Sequence, residues 1–193
     1  MTKSNVILEY LQLIGAKKDT EMYLKLFKGV ERHRFAIIAI DAQALAVYGR
    51  DVAAALAYLS SLGLTPLVVH NATGALGKQL VSDIWTNGGK CQAIMAGLYT
   101  EGAKSVKSIA AKAKELIAAR TIPVIETENA AATLKQLLPT VKPGKLMFLN
   151  KSGGVKTQKG ELLSYINLPN EYEMIRKTAA AEYHDVLKMA SDI

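Results

Sequence analysis

Short apolar runs that alternate with segments of helical periodicity constrain the fold more than any other feature of this sequence. The clearest run, FAIIAI at 35–40, is apolar at every position. A strand with one solvated face would alternate apolar and polar residues, so such runs predict strands buried on both faces. Buried strands separated by helices form a mostly parallel sheet with helices on each side, and we predict a three-layer αβα sandwich of the α/β class. The predicted strands are 35–40, 65–70, 91–96, 122–126 and 145–149.

Helical periodicity fills the segments between these strands, and two further helices precede the first strand. The predicted helices are 4–14, 18–28, 51–63 (ended by Gly63), 75–87, 104–119, 129–138 (stopped near Pro139), 170–176 and 179–190. A hairpin is predicted at 153–168, with its turn at Lys159-Gly160. No repeat or linker divides the chain, so we expect residues 1–193 to form a single domain with an N-terminal helical segment at 1–28.

Composition excludes several classes of protein. The single cysteine, Cys91, permits neither an intrachain disulfide nor a thiolate metal cluster, and its apolar surroundings predict an inert buried thiol. No segment reaches the roughly 18–20 unbroken apolar residues of a membrane span, so we expect no membrane partner. Glu9 and Gln12 interrupt the apolar N-terminal stretch, which indicates an amphipathic helix rather than a signal peptide. We therefore expect a reducing, cytoplasmic location, or a mitochondrial one in a eukaryote.

The net charge of +7 permits contact with nucleic acid or an acidic partner without requiring it. The lysines are spread along the chain, and the densest tract, 104–120, places an apolar stripe on one side of a helix. A solvated helix face explains this tract. A phosphate-backbone tract is the alternative, but no aromatic or RNA-binding signature accompanies the lysines, so nucleic acid is not the expected partner.

The turns after the strands carry the candidate site, because ligands of parallel sheets bind beyond the carboxyl ends of the strands. A phosphoryl-transfer site needs a close, glycine-rich backbone around the phosphates and a fixed cation. After the first strand the chain instead has Asp41, Ala42 and Gln43, which repel phosphate and obstruct close backbone approach. The turn HNATGALG can form an anion nest at a helix start, although capping by Asn71 or Thr73 explains it as well.

Two further strand ends carry polar residues. The turn NKSGG, at 150–154, contains Lys151 and is typical of a tight turn. His70 ends the second strand and is expected to face the site, but no acid or serine is paired with it in the sequence. His33 and His184 have no metal-ligand spacing with His70, so we predict neither a metal site nor general-base catalysis.

Several stretches of the chain resemble the amino-acid kinase domain of the N-acetylglutamate kinases and synthases of arginine biosynthesis, in particular the bifunctional synthase/kinase type. They are YLKLFKGVERHRFAIIAI, LAYLSSLGLTPLVVH, NAAATLKQLLPTVKPGKLMFLNKSGG and GELLSYINL. Together they cover about a third of the chain. The resemblance implies the amino-acid kinase (carbamate kinase-like) fold and, in an intact member, phosphorylation of N-acetylglutamate.

The residues on which the family's chemistry depends are replaced in this chain. The family has a lysine that contacts the transferring phosphate, and then two glycines, where this chain has Ala39, Asp41 and Ala42. Its aspartate that organises the catalytic lysines corresponds to Ala131. A second family lysine has no counterpart in TAAAEYHDV, at 178–186, and the segment that carries the substrate lid is shortened. We also expect no acetyl transfer, because the acetyltransferase domain of the synthases has no counterpart.

What remains is a vestigial pocket without catalytic residues or a cofactor. It is expected to contain His70, Asn71, Asn129, Lys151, Gly153 and Gly154. We therefore predict a catalytically inactive protein that acts as a regulatory or structural binding subunit, with an active N-acetylglutamate kinase or synthase as its partner. The apolar faces of the N-terminal helices predict an oligomer. The alternatives are a residual kinase or small-molecule-binding protein for N-acetylglutamate, a nucleotide or arginine, and a basic subunit of a nucleic-acid-associated or structural complex.

Overall fold

The computed structural model describes residues 36–72, 74–96, 103–163 and 168–191. The helices predicted at 4–14 and 18–28, and with them the N-terminal segment 1–28, lie outside the described residues. Along the chain the elements are β1 (Ile37–Ile40), α1 (Ala42–Ser61), β2 (Leu67–His70), α2 (Ala75–Thr86), β3 (Cys91–Met95), α3 (Ala103–Ala118), β4 (Ile122–Glu126), α4 (Ala130–Val141), β5 (Leu146–Leu149), α5 (Leu168–Thr178) and α6 (His184–Ser191).

The five described strands form a parallel sheet in the order β3-β4-β2-β1-β5. Successive residues of β1 pack into two different hydrophobic cores, one on each face of the sheet. Ile38 packs with α1 and α2 on one face, and Ile37 packs with α3 and α4 on the other. This division explains why the run has no polar alternation, and it confirms the predicted α/β class with helices on both sides of the sheet.

Two of the helices between the strands have predicted boundaries that are wrong. The first concerns α1, which begins at Ala42 rather than at residue 51. The carboxylate of Asp41 accepts a hydrogen bond from the Ala44 N–H at 2.6 Å, and the alanine-rich segment that follows favours helix enough to include Gly49. The residues expected to form an open turn therefore form the first turn of a helix.

The second boundary concerns α4, which continues through Pro139 to Val141. Proline disrupts a helix because it lacks an N–H and crowds the preceding turn. Pro139 lies only two residues before the end of α4, so little of the helix follows the disruption. The helix ends at Lys142, whose N–H donates to the Leu138 carbonyl at 2.9 Å and whose left-handed backbone (φ 49°) turns the chain out of the helix.

The C-terminal part of the chain forms a small core of its own. The predicted hairpin turn is confirmed, with the Thr157 N–H donating to Glu161 at 2.8 Å and Gly160 at φ 85°. The hairpin does not extend to residue 168, where α5 begins, and 164–167 are not described. The helix predicted at 179–190 is also displaced, because Ala179 bridges to Thr157 and a 3₁₀ turn at 181–183 precedes α6.

Candidate functional site

The fold creates a crevice between β2 and β4. β2 continues into α2 on one face of the sheet, whereas the adjacent β4 continues into α4 on the other face. The backbones therefore diverge beyond the carboxyl ends of these two strands. This is the topological switch point at which parallel α/β sheets bind their ligands.

A cavity of about 310 Å³ lies at this crevice. Its apolar wall includes Ala39, Leu134 and Phe148, all of which belong to the core on the α4 side of the sheet. Its polar groups follow the strand ends and are Asp41, Asn71, Glu128, Asn129 and Asn150. The volume is at the small end of the range for ligand pockets.

Three backbone N–H groups at the two helix starts beside the cavity are already paired within the chain. At the start of α1, Asp41 Oδ1 accepts from the Ala44 N–H at 2.6 Å, and Asn71 Oδ1 accepts from the Ala42 N–H at 2.9 Å. At the start of α4, Asn129 Oδ1 accepts from the Ala132 N–H at 2.9 Å. Helix N-termini bind phosphate through such N–H groups. Here side-chain oxygens of the chain itself occupy three of these groups.

The charge of the cavity is also unsuited to phosphate. Among the described lining residues, the ionisable side chains are Asp41 and Glu128, both carboxylates. Phosphoryl transfer depends on cations placed at the phosphates, because they neutralise the charge that develops in the transition state. The described part of the lining contributes none.

Two alanines that stand at charged positions of the resembled family both line this cavity. Ala39, in β1, and Ala131, in the first turn of α4, both line it. They are the positions at which the resemblance places a lysine and an aspartate. Their methyl groups carry no charge and donate no hydrogen bond, so neither can hold a phosphate or orient a second catalytic group.

His70 lies outside the cavity lining, contrary to the expectation that it faces the site. Side chains alternate along β2, so His70 shares the α2 side of the sheet with Val68, whereas the cavity opens on the α4 side. The imidazole is only 1% exposed, and burial lowers its pKa, opposed by the Glu126 carboxylate and the Ala72 backbone. Within the described residues its Nδ1 has no hydrogen-bond partner.

The turn HNATGALG therefore has a packing role rather than a nest at His70. A Cβ on Gly77 would lie 2.7 Å from Glu126 Oε2 and 2.8 Å from His70 Cε1, so only glycine lets α2 approach this closely. Gly74 is the N-cap of α2 at φ 73° and makes no side-chain cap. Asn71 caps neither α2 nor its own turn, since its oxygen bonds to Ala42.

The NKSGG turn stands beside the cavity through its first residue. Asn150 lines the cavity, and its Oδ1 accepts from the Gly153 N–H at 2.9 Å and the Ser152 hydroxyl at 3.2 Å. Lys151 is exposed and does not line the cavity, and Gly154 packs against Leu162 of the hairpin. Neither Asn150 nor Glu128 was among the predicted pocket residues. The available signal was their position shortly after a strand, since Asn150 directly follows β5 and Glu128 lies two residues beyond β4.

The Cys91 thiol, the one cysteine side chain of the sequence, has a structural explanation. Burial raises the pKa of the Cys91 thiol to about 11, and its sulfur lies 3.5 Å from the Val81 carbonyl, to which the thiol donates. In the part of the chain that the structure describes, no group of His, Cys, Asp and Glu side chains is arranged to hold a metal ion. None of the described helices is both long and apolar enough to cross a membrane.

Known proteins similar to this chain include enzymes of one family. It is 24% identical over 245 residues to Protein arg-6, mitochondrial, of Neurospora crassa, and 26% identical over 242 residues to Protein arg11, mitochondrial, of Schizosaccharomyces pombe, covering 98% and 96% of this chain. It is 25% identical over 219 residues to an acetylglutamate kinase of Xylella fastidiosa, covering 84% of this chain. This chain is a homologue of the acetylglutamate kinases. No protein-family model matches it.

The homologue is short relative to these proteins. It spans 28% of the Neurospora protein, 27% of the Schizosaccharomyces protein and 52% of the Xylella kinase. An alignment of 245 residues with a chain of 193 residues also requires gaps inside this chain. The relatives therefore carry residues within the aligned region that the homologue lacks, consistent with a shortened member.

Proposed function

We propose that this chain is a catalytically inactive acetylglutamate-kinase homologue that acts as a regulatory or structural binding subunit linked to arginine biosynthesis. The observation that carries the proposal is the hydrogen bond from Ala44 to the carboxylate of Asp41. A carboxylate of the chain itself occupies the helix terminus at which a phosphate group would bind. The bond stabilises α1 and opposes phosphate binding at the same time.

The side chains of the cavity support the same proposal. Removing one preorganised charge from a transition state costs about 3–4 kcal/mol, or 10²–10³-fold in rate. Ala39 and Ala131 each lack a charged group at a position where the resembled family has one, and Asp41 adds a charge of unfavourable sign. The combined effect leaves no useful rate of phosphotransfer.

A direct assay tests the proposed inactivity. The purified chain is incubated with ATP and N-acetylglutamate, beside the Xylella acetylglutamate kinase as a positive control. We expect no ADP production above a mock purification. Turnover that follows the chain through successive purification steps, and that is abolished by Ala131→Trp, which fills the cavity, would contradict the proposal.

The proposed partner is an active acetylglutamate kinase or synthase of the same organism. The names of the fungal relatives include the word mitochondrial, and of the two locations predicted from sequence we propose the mitochondrial one. Co-expression with the active enzyme should give a complex that elutes together and whose kinase rate differs from that of the enzyme alone. Separate elution and an unchanged rate at high protein concentration would argue against this partner.

The unfilled cavity favours a second candidate function, the binding of a small molecule without chemistry. Its volume of about 310 Å³ and its five polar side chains provide space and hydrogen-bonding groups for a compact ligand. Isothermal titration with N-acetylglutamate, ADP and arginine tests this candidate. Binding that is lost in Ala131→Trp supports it, and the absence of heat with all three ligands removes it.

A further inference from the structure

The cavity at the crevice carries two carboxylates that no cation neutralises within the described residues. Asp41 uses one oxygen, Oδ1, for the Ala44 N–H, and its other oxygen has no partner in that part of the chain. Glu128 is exposed at the cavity and, among the described residues, makes neither a hydrogen bond nor an ion pair. Two unneutralised carboxylates at one cavity favour a ligand of positive charge.

The two helix starts beside the cavity do not reverse this sign. A helix N-terminus carries roughly half a positive charge, so α1 and α4 together supply about one positive charge against two carboxylates. Side-chain oxygens of Asp41 and Asn129 already cap these two helix starts. The amides of Asn71, Asn129 and Asn150 can both donate and accept hydrogen bonds, so they select neither sign of charge.

The rest of the lining is apolar and suits a hydrocarbon stem. Leu134 and Phe148 form part of this wall, and Ala131 adds a methyl group. An aromatic side chain in the wall is a further favourable feature for an organic cation. A bare metal ion would gain nothing from such a wall, and the described residues contain no group of His, Cys, Asp and Glu side chains that could hold one.

We infer that the cavity binds a primary amine in its ammonium form, with the charge beside Asp41 and Glu128 and a short hydrocarbon stem against Leu134 and Phe148. The inference rests on the second candidate function, the binding of a small molecule without chemistry, and names the class of its ligand. This class is opposite in charge to N-acetylglutamate and to nucleotides.

Three probes with the same stem and different charge test the sign: hexylamine, hexanol and hexanoate. Each is titrated into the ¹⁵N-labelled chain at equal ionic strength, and NMR follows the backbone amides of Ala44 and Ala132 at the two helix starts. We expect hexylamine to bind with a dissociation constant of about 1 mM, which a ligand of about seven non-hydrogen atoms can reach. Hexanol should bind at least about threefold more weakly, the effect of two exposed charge pairs, and hexanoate more weakly still.

Two isosteric substitutions remove the charges and keep the shape of the cavity. Asp41→Asn retains an oxygen for the Ala44 N–H, and Glu128→Gln changes an exposed side chain. The double variant D41N/E128Q should bind hexylamine and hexanol equally. Asp51→Asn makes the same change on α1 at a residue that does not line the cavity, and it should retain the preference for hexylamine.

Three results would overturn the inference. Wild-type affinity for hexanol or hexanoate that equals or exceeds that for hexylamine, or a preference for hexylamine that survives in the double variant, would remove the ligand class and leave small-molecule binding standing. The absence of chemical-shift changes with all three probes would remove both. The proposed inactivity is measured separately by ADP production, so none of these results bears on it.

Discussion

Asp41 combines two effects in one side chain, because the carboxylate that completes the N-terminus of α1 also places negative charge at the cavity. The burial of His70 likewise depends on one residue, Gly77, which packs directly against its imidazole. The helix α2 approaches the sheet only because position 77 has no side chain, and the imidazole beneath it is almost fully buried as a result. These contacts define three measurable consequences.

The first prediction concerns the cap of α1. Asp41→Ala removes the oxygen that accepts from Ala44 and should lower the free energy of unfolding by about 0.5–2 kcal/mol. Asp41→Asn retains a cap of equal quality and should stay close to wild type. Glu128→Ala, which removes the other carboxylate of the cavity from an exposed position, is the control and should change stability by less than about 0.5 kcal/mol. Urea denaturation measures all three.

The second prediction compares two helical glycines. A methyl group at Gly77 would collide with Glu126 and His70, whereas at Gly49 it would meet Leu45 Cδ1 at an ordinary 3.6 Å. Gly77→Ala should therefore destabilise by about 1–3 kcal/mol, and Gly49→Ala should stabilise by up to about 1 kcal/mol through helix propensity. Thermal denaturation of both variants checks the difference. Equal effects would show that α2 moves away from the sheet without cost.

The third prediction concerns pH. Burial lowers the pKa of His70 from its ordinary 6.5, with Glu126 and the Ala72 backbone opposing the shift, so the unfolded chain binds the additional proton more readily than the folded chain. The free energy of unfolding should consequently rise with pH through about 6.5 and decline below it. His70→Asn, which does not titrate, should have a flatter profile between about pH 5 and 8 in urea denaturation. Parallel profiles would refute this assignment.

Among the secondary-structure elements, those buried on both sides were the most predictable from sequence. Ile37 and Ile38 face separate cores, and this requirement leaves an unbroken apolar run that is visible without a structure. Helix ends were less predictable, since the start of α1 depends on the Asp41 cap and α4 tolerates Pro139 near its end. The position of His70 could not be read from sequence, because it depends on which face of the sheet α2 covers.

The fourth prediction follows from the end of α4. Lys142 adopts a left-handed backbone, with φ 49°, that glycine adopts without strain. Lys142→Gly should therefore stabilise the protein by about 1 kcal/mol. Lys114→Gly, in the interior of α3, should instead destabilise it by about 1 kcal/mol. Denaturant midpoints of the two variants should move in opposite directions, and a common direction would contradict the role of the αL cap.

For the entire chain, association remains a prediction from sequence. It rests on the apolar face of residues 4–14, which lie outside the described region. The cavity is lined by Ala39, Asp41, Asn71, Asn129 and Ala131, which the motif positions had singled out. It is also lined by Asn150 and Glu128, whose signal in the sequence was a position shortly after a strand.

The fifth prediction tests the N-terminal contribution. Deleting residues 1–16 removes Val6, Ile7 and Leu11 of the predicted apolar face and should weaken the oligomer, because several kcal/mol of burial at about 25 cal/mol per Å² would be lost. Light scattering compares the deletion with the full-length chain. A full-length monomer, alone and with the active enzyme, would contradict the prediction.

The cap at the start of α1 also bears on whether the proposed inactivity could be reversed. Restoring glycine at position 41 would reopen the helix terminus to phosphate, but it would first remove the oxygen that holds Ala44. The cation at position 39 and the carboxylate at position 131 would still be missing, so the intermediate would be less stable and no more active. Under the proposed function, Asp41→Gly alone would thus cost stability without restoring phosphotransfer, so the inactive state is not reversed by this single substitution.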